Sequence, residues 1–271
     1  MPILIVAGLV MLFVMWLVAE PWRLAWRRRR VAARPFPATW RAILAKRVPY
    51  VRRLPADLQL QLKKHIQVFL AEKSFVGCNG LVINDEIRVT IAAQASLLLL
   101  NRGGHFPNLR QILVYPGAFV VDRVHAAGGG VMQDRREVLS GESWSQGQVI
   151  LSWDDTLEGA AVPDDGRNVV IHEFAHQLDQ ENGPANGAPP LPHRRNYRQW
   201  SRVFSSEFDR LQREAANGEA TFFNHYGATN AAEFFAVVSE VFFEQPYRMA
   251  AEHPALYREL SAFYRIDPLS W

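Results

Sequence analysis

The segment that most constrains this chain is NVVIHEFAHQLDQENGP, running from Asn168 to Pro184. It contains the pattern H-E-x-x-H, formed by His172, Glu173 and His176. Residues i and i+4 share one face of an α-helix, so the spacing predicts a helix whose two imidazoles point at one ion. Glu173 lies about 100° round the helix from His172, beside the ion's open position rather than among its ligands. Two neutral nitrogens and an adjacent carboxylate are what zinc-assisted peptide hydrolysis requires. The neighbours Val169, Val170, Ile171, Phe174, Ala175 and Leu178 include no charge and no proline. That pattern predicts a half-buried helix packed against a core.

A zinc site of this type needs a third protein ligand and an open position for water. In the metzincin continuation a glycine would stand at 179 and a histidine at 182. The chain has Asp179 and Asn182 there, so that class is excluded. The candidates further on are Glu233, Glu240 and His225. Glu233 and Glu240 are seven residues apart and share a helical face. Asn230-x-x-Glu233 also reads as a capping box, and Glu240 as a surface pair. Spacing favours Glu233, because a carboxylate beside the apolar run FFAVV needs a partner such as a metal. Asp179, one turn past His176, is a candidate for orienting a ligand imidazole, or equally a structural helix-end aspartate.

Composition narrows the alternatives. With 271 residues, 49% of them hydrophobic, the chain has enough apolar material for a sizeable core. Its formal charge is +3, yet residues 1–34 hold six arginines against Glu20 alone, which leaves the body slightly acidic. The basicity therefore belongs to one flank, and direct nucleic-acid binding loses its main support. Cys78 is the only cysteine. No intrachain disulfide and no Cys₂His₂ or Cys₄ zinc site can form, which leaves histidine and carboxylate as metal ligands.

That flank follows an apolar run. Pro2–Ala19 carries no charged side chain; as a helix it spans roughly 27 Å, just short of a ~30 Å hydrocarbon core. Trp16, Trp22 and Trp26 stand at its C-terminal end like an interfacial belt, and WRRRR follows. A cleaved signal peptide would have its basic residues before the apolar run and a small-x-small cleavage site, and neither is found. The reading is an uncleaved single-pass anchor over residues 1–34, with a domain over 35–271. The positive-inside rule puts that domain on the cytoplasmic side of the inner membrane.

Along the body, Arg34–Trp40 reads as a linker and Arg41–Val48 as a short helix. A longer amphipathic helix carries Leu58, Leu62, Ile66 and Phe69, with His65 off the stripe as a solvated or packing residue. Phe75–Ile83 reads as loop and short strand, and Asp85–Asn101 as a buried helix. Leu109–Val124 reads as a hairpin about Pro116-Gly117, and GGG at 128–130 as a loop. Val131–Trp144 is expected to be irregular or a short strand, and Gln148–Trp153 a strand. Helices are expected at Asn196–Ala216, Asn230–Glu244 and Pro254–Arg265. The fold class is thus α+β and helix-rich, with a small sheet preceding the H-E-x-x-H helix.

Several separated motifs carry a resemblance. FPNLRQILVYPGAF, SWSQGQVILSWDD, HEFAHQLD and HYGATNAAEFFAVVSEVFFEQP, in this order, resemble the Mlc titration factor A family of bacterial zinc metallopeptidases from about Val48 to the C-terminus. The resemblance implies a zincin-like domain similar to the catalytic domain of anthrax lethal factor, one zinc ion per chain, and peptidase activity with aminopeptidase character. It implies His172, His176 and Glu233 as zinc ligands, Glu173 as the base, and Tyr226 as a residue on the transition-state side. From its surroundings alone Tyr226 is one more aromatic in FFNHY. The implied partners are a peptide or protein substrate and, by the family's namesake role, a transcription repressor of the Mlc type. The cytosolic namesake lacks an anchor, and this chain departs from it there. The strand Val149–Trp153 is expected to offer an edge to an extended peptide.

Overall fold

The computed structural model describes residues 2–127, 131–139, 141–144 and 147–271, with side chains outside 2–8, 12, 120–140 and 144. Helix α1 (Pro2–Ala32) runs unbroken through Pro21 and the arginines, well past Ala19. Its stretch from Leu9 to Ala32 is the one helix among the described residues long and apolar enough to cross a membrane, and none of its most apolar window is buried in the body. The last turns of α1 dock on helix α3 (Ala56–Glu72), behind α2 (Ala38–Arg47) in the chain. Arg28 donates two hydrogen bonds to the Glu72 carboxylate at 2.7 and 2.9 Å, and Arg27 donates to the Ala71 carbonyl. The expected linker is docked as well: Phe36 is buried, and Gln67 donates to the Arg34 carbonyl at 2.9 Å.

Strand β1 (Ser74–Gly77) leads to α4 (Asp85–Leu97), a helix buried nearly all round and capped by Asn84, whose side chain accepts from Ile87 N. His65 on α3 is a packing residue; its ring lies 5.8 Å from that of His105, and burial pulls its imidazole down to about 4. Strand β2 (Gln111–Tyr115) follows, then β3 (Phe119–Ala127), β4 (Val131–Leu139), β5 (Gly141–Trp144) and β6 (Gln148–Ser152). Here the expected hairpin over Leu109–Val124 is overturned. Strand β2 runs parallel to both β1 and β6, whereas β3 pairs antiparallel with β4 in a separate two-stranded ribbon. Gly117 has no positive φ, so Pro116-Gly117 does not make the turn that folds strands back on each other. The GGG at 128–130 lies outside the described residues.

The four-stranded sheet has the order β1-β2-β6-β5, with β5 antiparallel to β6. Strand β6 is paired on both sides and offers no edge, contrary to the expectation for Val149–Trp153; the edge beside the site belongs to β5. Trp153 opens a helix that the sequence reading missed, α5 (Trp153–Ala161), capped by Ser152 with Asp154 and Asp155 in its first turn. The remaining helices are α6 (Val169–Asp179), α7 (Asn196–Ala216), α8 (Ala231–Glu244), α9 (Pro246–Glu252) and α10 (Pro254–Tyr264).

The core holds α6 from two sides. Phe174, fully buried, has its ring 4.8 Å from that of Phe106 and 5.6 Å from that of Phe69. Lys73 reaches under this cluster and donates to the carbonyls of Phe106 and Leu109. On the other side α8 packs along α6, backed by Trp200, Phe204 and Phe263 around Phe235. Between them the loop after α6 is clamped: Asp179 accepts from the backbone N–H groups of Asn186 and Gly187, each at 2.7 Å, and Trp200 Nε1 donates to the Gly187 carbonyl. Gly187 has φ +77°, and an added Cβ would lie 2.4 Å from the Ala231 carbonyl oxygen at the start of α8. Gly187→Ala is therefore expected to destabilise the fold by about 2 kcal/mol or more, measured by urea unfolding; a change within 0.5 kcal/mol, about the level of a neutral surface substitution, would refute the clamp.

Candidate metal centre

Helix α6 starts at Asn168, whose side-chain oxygen accepts from Ile171 N at 3.0 Å. From that cap, His172 and His176 project on one face, 3.3 Å apart between their Nε2 atoms. Glu233, in the first turn of α8, brings Oε2 to 3.0 Å from His172 Nε2 and 3.2 Å from His176 Nε2. Asn230 caps that helix by accepting from the N–H groups of Ala232 and Glu233. One ligand atom from each of the three residues lies within 4.8 Å of the others. Three lone-pair donors that meet at one point need a proton or a cation between them, and two imidazoles with one carboxylate are a donor set that suits zinc.

The other two candidates for a third ligand lie elsewhere. His225 Nε2 faces the Glu219 carbonyl at 3.0 Å, outside the cluster. Glu240 approaches His172 from behind, with Oε1 2.8 Å from Nδ1, while its Oε2 accepts from Asn168 N. Its position fits a residue that fixes the ring's orientation and tautomer. Of the two readings of Asp179, the structural one holds, since it clamps the 186–187 loop; His176 Nδ1 and Asp179 Oδ1 each have no hydrogen-bond partner among the described residues.

Electrostatics mark the same point. Burial pulls the His172 imidazolium down, but Glu240, Glu233 and Glu173 outweigh it and lift the group well above its ordinary value. Burial pushes Glu233 up, and the hydrogen bonds from His172 and His176 outweigh that and hold it far below the usual carboxylate range. Glu173 is 5% exposed, and its Oε2 has no partner among the described residues. Burial pushes it up to about 7, aided by Glu233 and Glu240 and opposed by the two histidines. Gly141 on the edge strand makes room for it: an added Cβ would lie 2.6 Å from Glu173 Oε1. Tyr226 is 46% exposed, with its ring 5.9 Å from that of His172. Two cavities, of about 380 and 530 Å³, share Gly141, His172, Glu173 and Tyr226 in their walls.

Comparison with known proteins accords with this geometry. The glucose-regulated metallo-peptidase M90 family matches residues 23–265. The chain belongs to that family. A Synechocystis protein of uncharacterised function, slr2042, is 40% identical over 99% of this chain and 98% of its own length. The Mlc titration factor A of Serratia proteamaculans is 35% identical, covering 86% of this chain and 88% of its own. That of Escherichia fergusonii is 34% identical over 88% and 89%. Membership implies a metal, and the His172, His176 and Glu233 cluster is where this M90 chain offers ligands for one.

Two further residues of this M90 site escape sequence reading. Gly141 carries no local signal, because what it avoids is a side chain 32 positions on. Glu244, at the end of α8, accepts from Gly166 N at 3.0 Å and from Asn168 Nδ2 at 3.1 Å. With Glu240, which accepts from Asn168 N, it ties the start of α6 to α8. Glu240→Ala is expected to weaken zinc binding by about 10- to 100-fold, read by chelator competition; unchanged affinity would remove its orienting role. Burial pushes Glu244 up to about 9 from 4.5, so the folded state keeps a proton that the unfolded state loses. Stability must then fall as pH rises from about 4.5 to about 9, by at most about 1.4 kcal/mol per unit. Melting curves of Glu244→Gln should be flatter across that window than those of the wild type, and parallel curves would contradict the protonated state.

Proposed function

We propose that this chain is a zinc-dependent peptidase with a zincin-like catalytic domain, tethered to the inner membrane by α1 and facing the cytoplasm. The observation that carries the reading is the convergence of His172, His176 and Glu233 beside a buried carboxylate, Glu173, whose Oε2 has no partner among the described residues. When bound, zinc would acidify a water molecule and polarise the scissile carbonyl. Glu173 supplies the base: a carboxyl near 7 takes a proton from water and returns it to the leaving amine at neutral pH. Tyr226, half exposed at the wall shared by both cavities, is suited to donate a hydrogen bond to the developing oxyanion. Glu240 keeps His172 Nε2 turned toward the ligand cluster. An extended peptide would add to the edge of β5, running past Gly141 and Glu173 with side chains directed into the two cavities. Aminopeptidase character would require one of those cavities to hold a free amino terminus.

The relatives named Mlc titration factor A support a second reading, in which the domain binds a repressor of the Mlc type and hydrolysis is secondary. One experiment separates the two. Glu173→Gln should keep stoichiometric zinc and lose peptide hydrolysis by at least about 100-fold, with Tyr226→Phe about 10- to 1,000-fold down. If Glu173→Gln retains hydrolysis, the assignment of the base fails. If the wild type hydrolyses no member of a peptide library yet binds a repressor, the regulatory reading replaces the enzymatic one.

For the tether, the Synechocystis relative's match over 99% of this chain takes in the α1 segment. Length and composition alone would suit a signal sequence equally, but the basic residues follow the apolar run instead of preceding it. The full chain should remain in the membrane pellet after alkaline carbonate washing, with its intact N-terminus detectable by mass spectrometry. Release, or an N-terminus beyond Ala19, would overturn the anchor.

A further inference from the structure

Among the described residues, one of the six arginines in residues 1–34 is matched by a carboxylate. Arg28 pairs with Glu72 at 2.7 Å, whereas Arg27 donates to the neutral Ala71 carbonyl and keeps its charge. Arg23, Arg29 and Arg30 are exposed and make no ion pair among the described residues. Six arginines, less Glu20 and less the charge that Glu72 offsets on Arg28, leave a net +4 along the last turns of α1.

The same turns carry Trp16, Trp22 and Trp26, which are 51, 78 and 60% exposed. Long side chains on a helix lean toward its N-terminus. The Arg30 guanidinium accordingly lies over the Trp26 ring at 4.6 Å, and that of Arg23 over the Trp16 ring at 5.2 Å. The charges therefore stand level with the indoles rather than beyond them. At 1.5 Å per residue, Trp26 is about 10 Å past Ala19, the end of the apolar run. That is the outer margin of the headgroup layer around a ~30 Å hydrocarbon core. A guanidinium stacked on an indole keeps its N–H edge free to donate to a phosphate. The body begins at once: Arg27 and Arg28, next after Trp26 in an unbroken helix, already dock on the end of α3, so no linker separates α3 from the leaflet.

We propose that the point where α1 leaves the bilayer is a binding site for anionic phospholipid. Arg23, Arg29 and Arg30, framed by Trp22 and Trp26, hold headgroup phosphates there and so seat the body on the membrane. The proposal rests on the anchor reading and is independent of the peptidase one. A zwitterionic headgroup offers the same phosphate, but its own cation faces the net +4; an anionic headgroup brings no such opposition. Each arginine close to an anionic leaflet contributes about fivefold in affinity.

The test uses the full chain reconstituted in vesicles at about 0.1 M salt, where charges act over ~10 Å. Brominated phosphatidylglycerol is diluted into phosphatidylcholine, and brominated phosphatidylcholine into phosphatidylglycerol. Bromines on the acyl chains quench the indoles of α1, and the two series together give the relative affinity of the lipids. Phosphatidylglycerol should be preferred by at least about tenfold. The preference should fall about fivefold or more in the double variant Arg29→Gln/Arg30→Gln and in ~1 M salt, and Arg213→Gln at the end of α7 should leave it unchanged. Equal quenching by the two lipids would overturn the site and leave the anchor standing. A preference that survives both the double variant and high salt would belong to other residues, and would overturn it as well. Quenching by neither lipid would take α1 out of the bilayer and end the anchor reading together with the site.

Discussion

Everything at the centre of this protein depends on how helix α8 grips one imidazole. Glu233 and Glu240, two turns apart, reach the two nitrogens of His172 from opposite sides, at 3.0 and 2.8 Å. One carboxylate joins the ligand cluster, and the other fixes the ring's rotation and tautomer. Four residues further on, Glu244 holds Asn168 at the start of α6. A single face of α8 thus sets the axial position, the angle and the first turn of the helix it packs against. The other faces of α8 are apolar and buried against the aromatic cluster of α7 and α10, so the grip cannot slide without opening the core.

This arrangement is costly in isolation. Three carboxylates, Glu173, Glu233 and Glu240, surround two imidazoles in a largely buried space, and removing charges from water is repaid only by close opposite charges. The chain alone meets the imbalance with protons, one lifted onto His172 and one held by Glu244. A divalent cation between the histidines and Glu233 would meet it more fully, and any such binding adds directly to folding stability. Local stability is thus given up at the place where the chemistry needs charge, while the Phe69, Phe106 and Phe174 cluster beneath supplies apolar burial worth about 1.5–3 kcal/mol per ring.

The helical parts of this design are legible in the sequence because their signals are local. Asn168 and Asn230 announce the starts of α6 and α8, the i, i+4 histidines define a face, and Asn196–Ala216 is a helix over its expected span. Helix α5 had a signal too, in Ser152 followed by two aspartates, but the strand-like QVILSW masked it. The sheet was legible only as strands, not as pairs. A hairpin was expected because Pro116-Gly117 is the nearest turn, yet β2 finds its partners 37 residues in either direction. Parallel pairing leaves no mark at the turn. Glu240 was open to a surface reading because its partner's identity depends on the packing of α6 on α8, which no periodicity encodes.

The edge of the sheet follows the same logic and has the larger consequence for function. Strand β6 is the most buried of the set, since parallel β2 covers one side and antiparallel β5 the other. What remains open toward α6 is β5, and Gly141 at its start lets the strand approach Glu173 more closely than any side chain would allow. Gln177, one turn after Glu173, fixes the same strand by donating to Ser143 Oγ at 2.7 Å. The Glu173 carboxylate and the edge are therefore held in one frame. In the proposed function, a peptide paired with β5 would be brought to the carboxylate by the same backbone spacing that leaves the carboxylate room to sit there. On the proposed reading, closeness between strand and helix would couple recognition of an extended chain to proton transfer, and that closeness rests on the absence of a single methyl group.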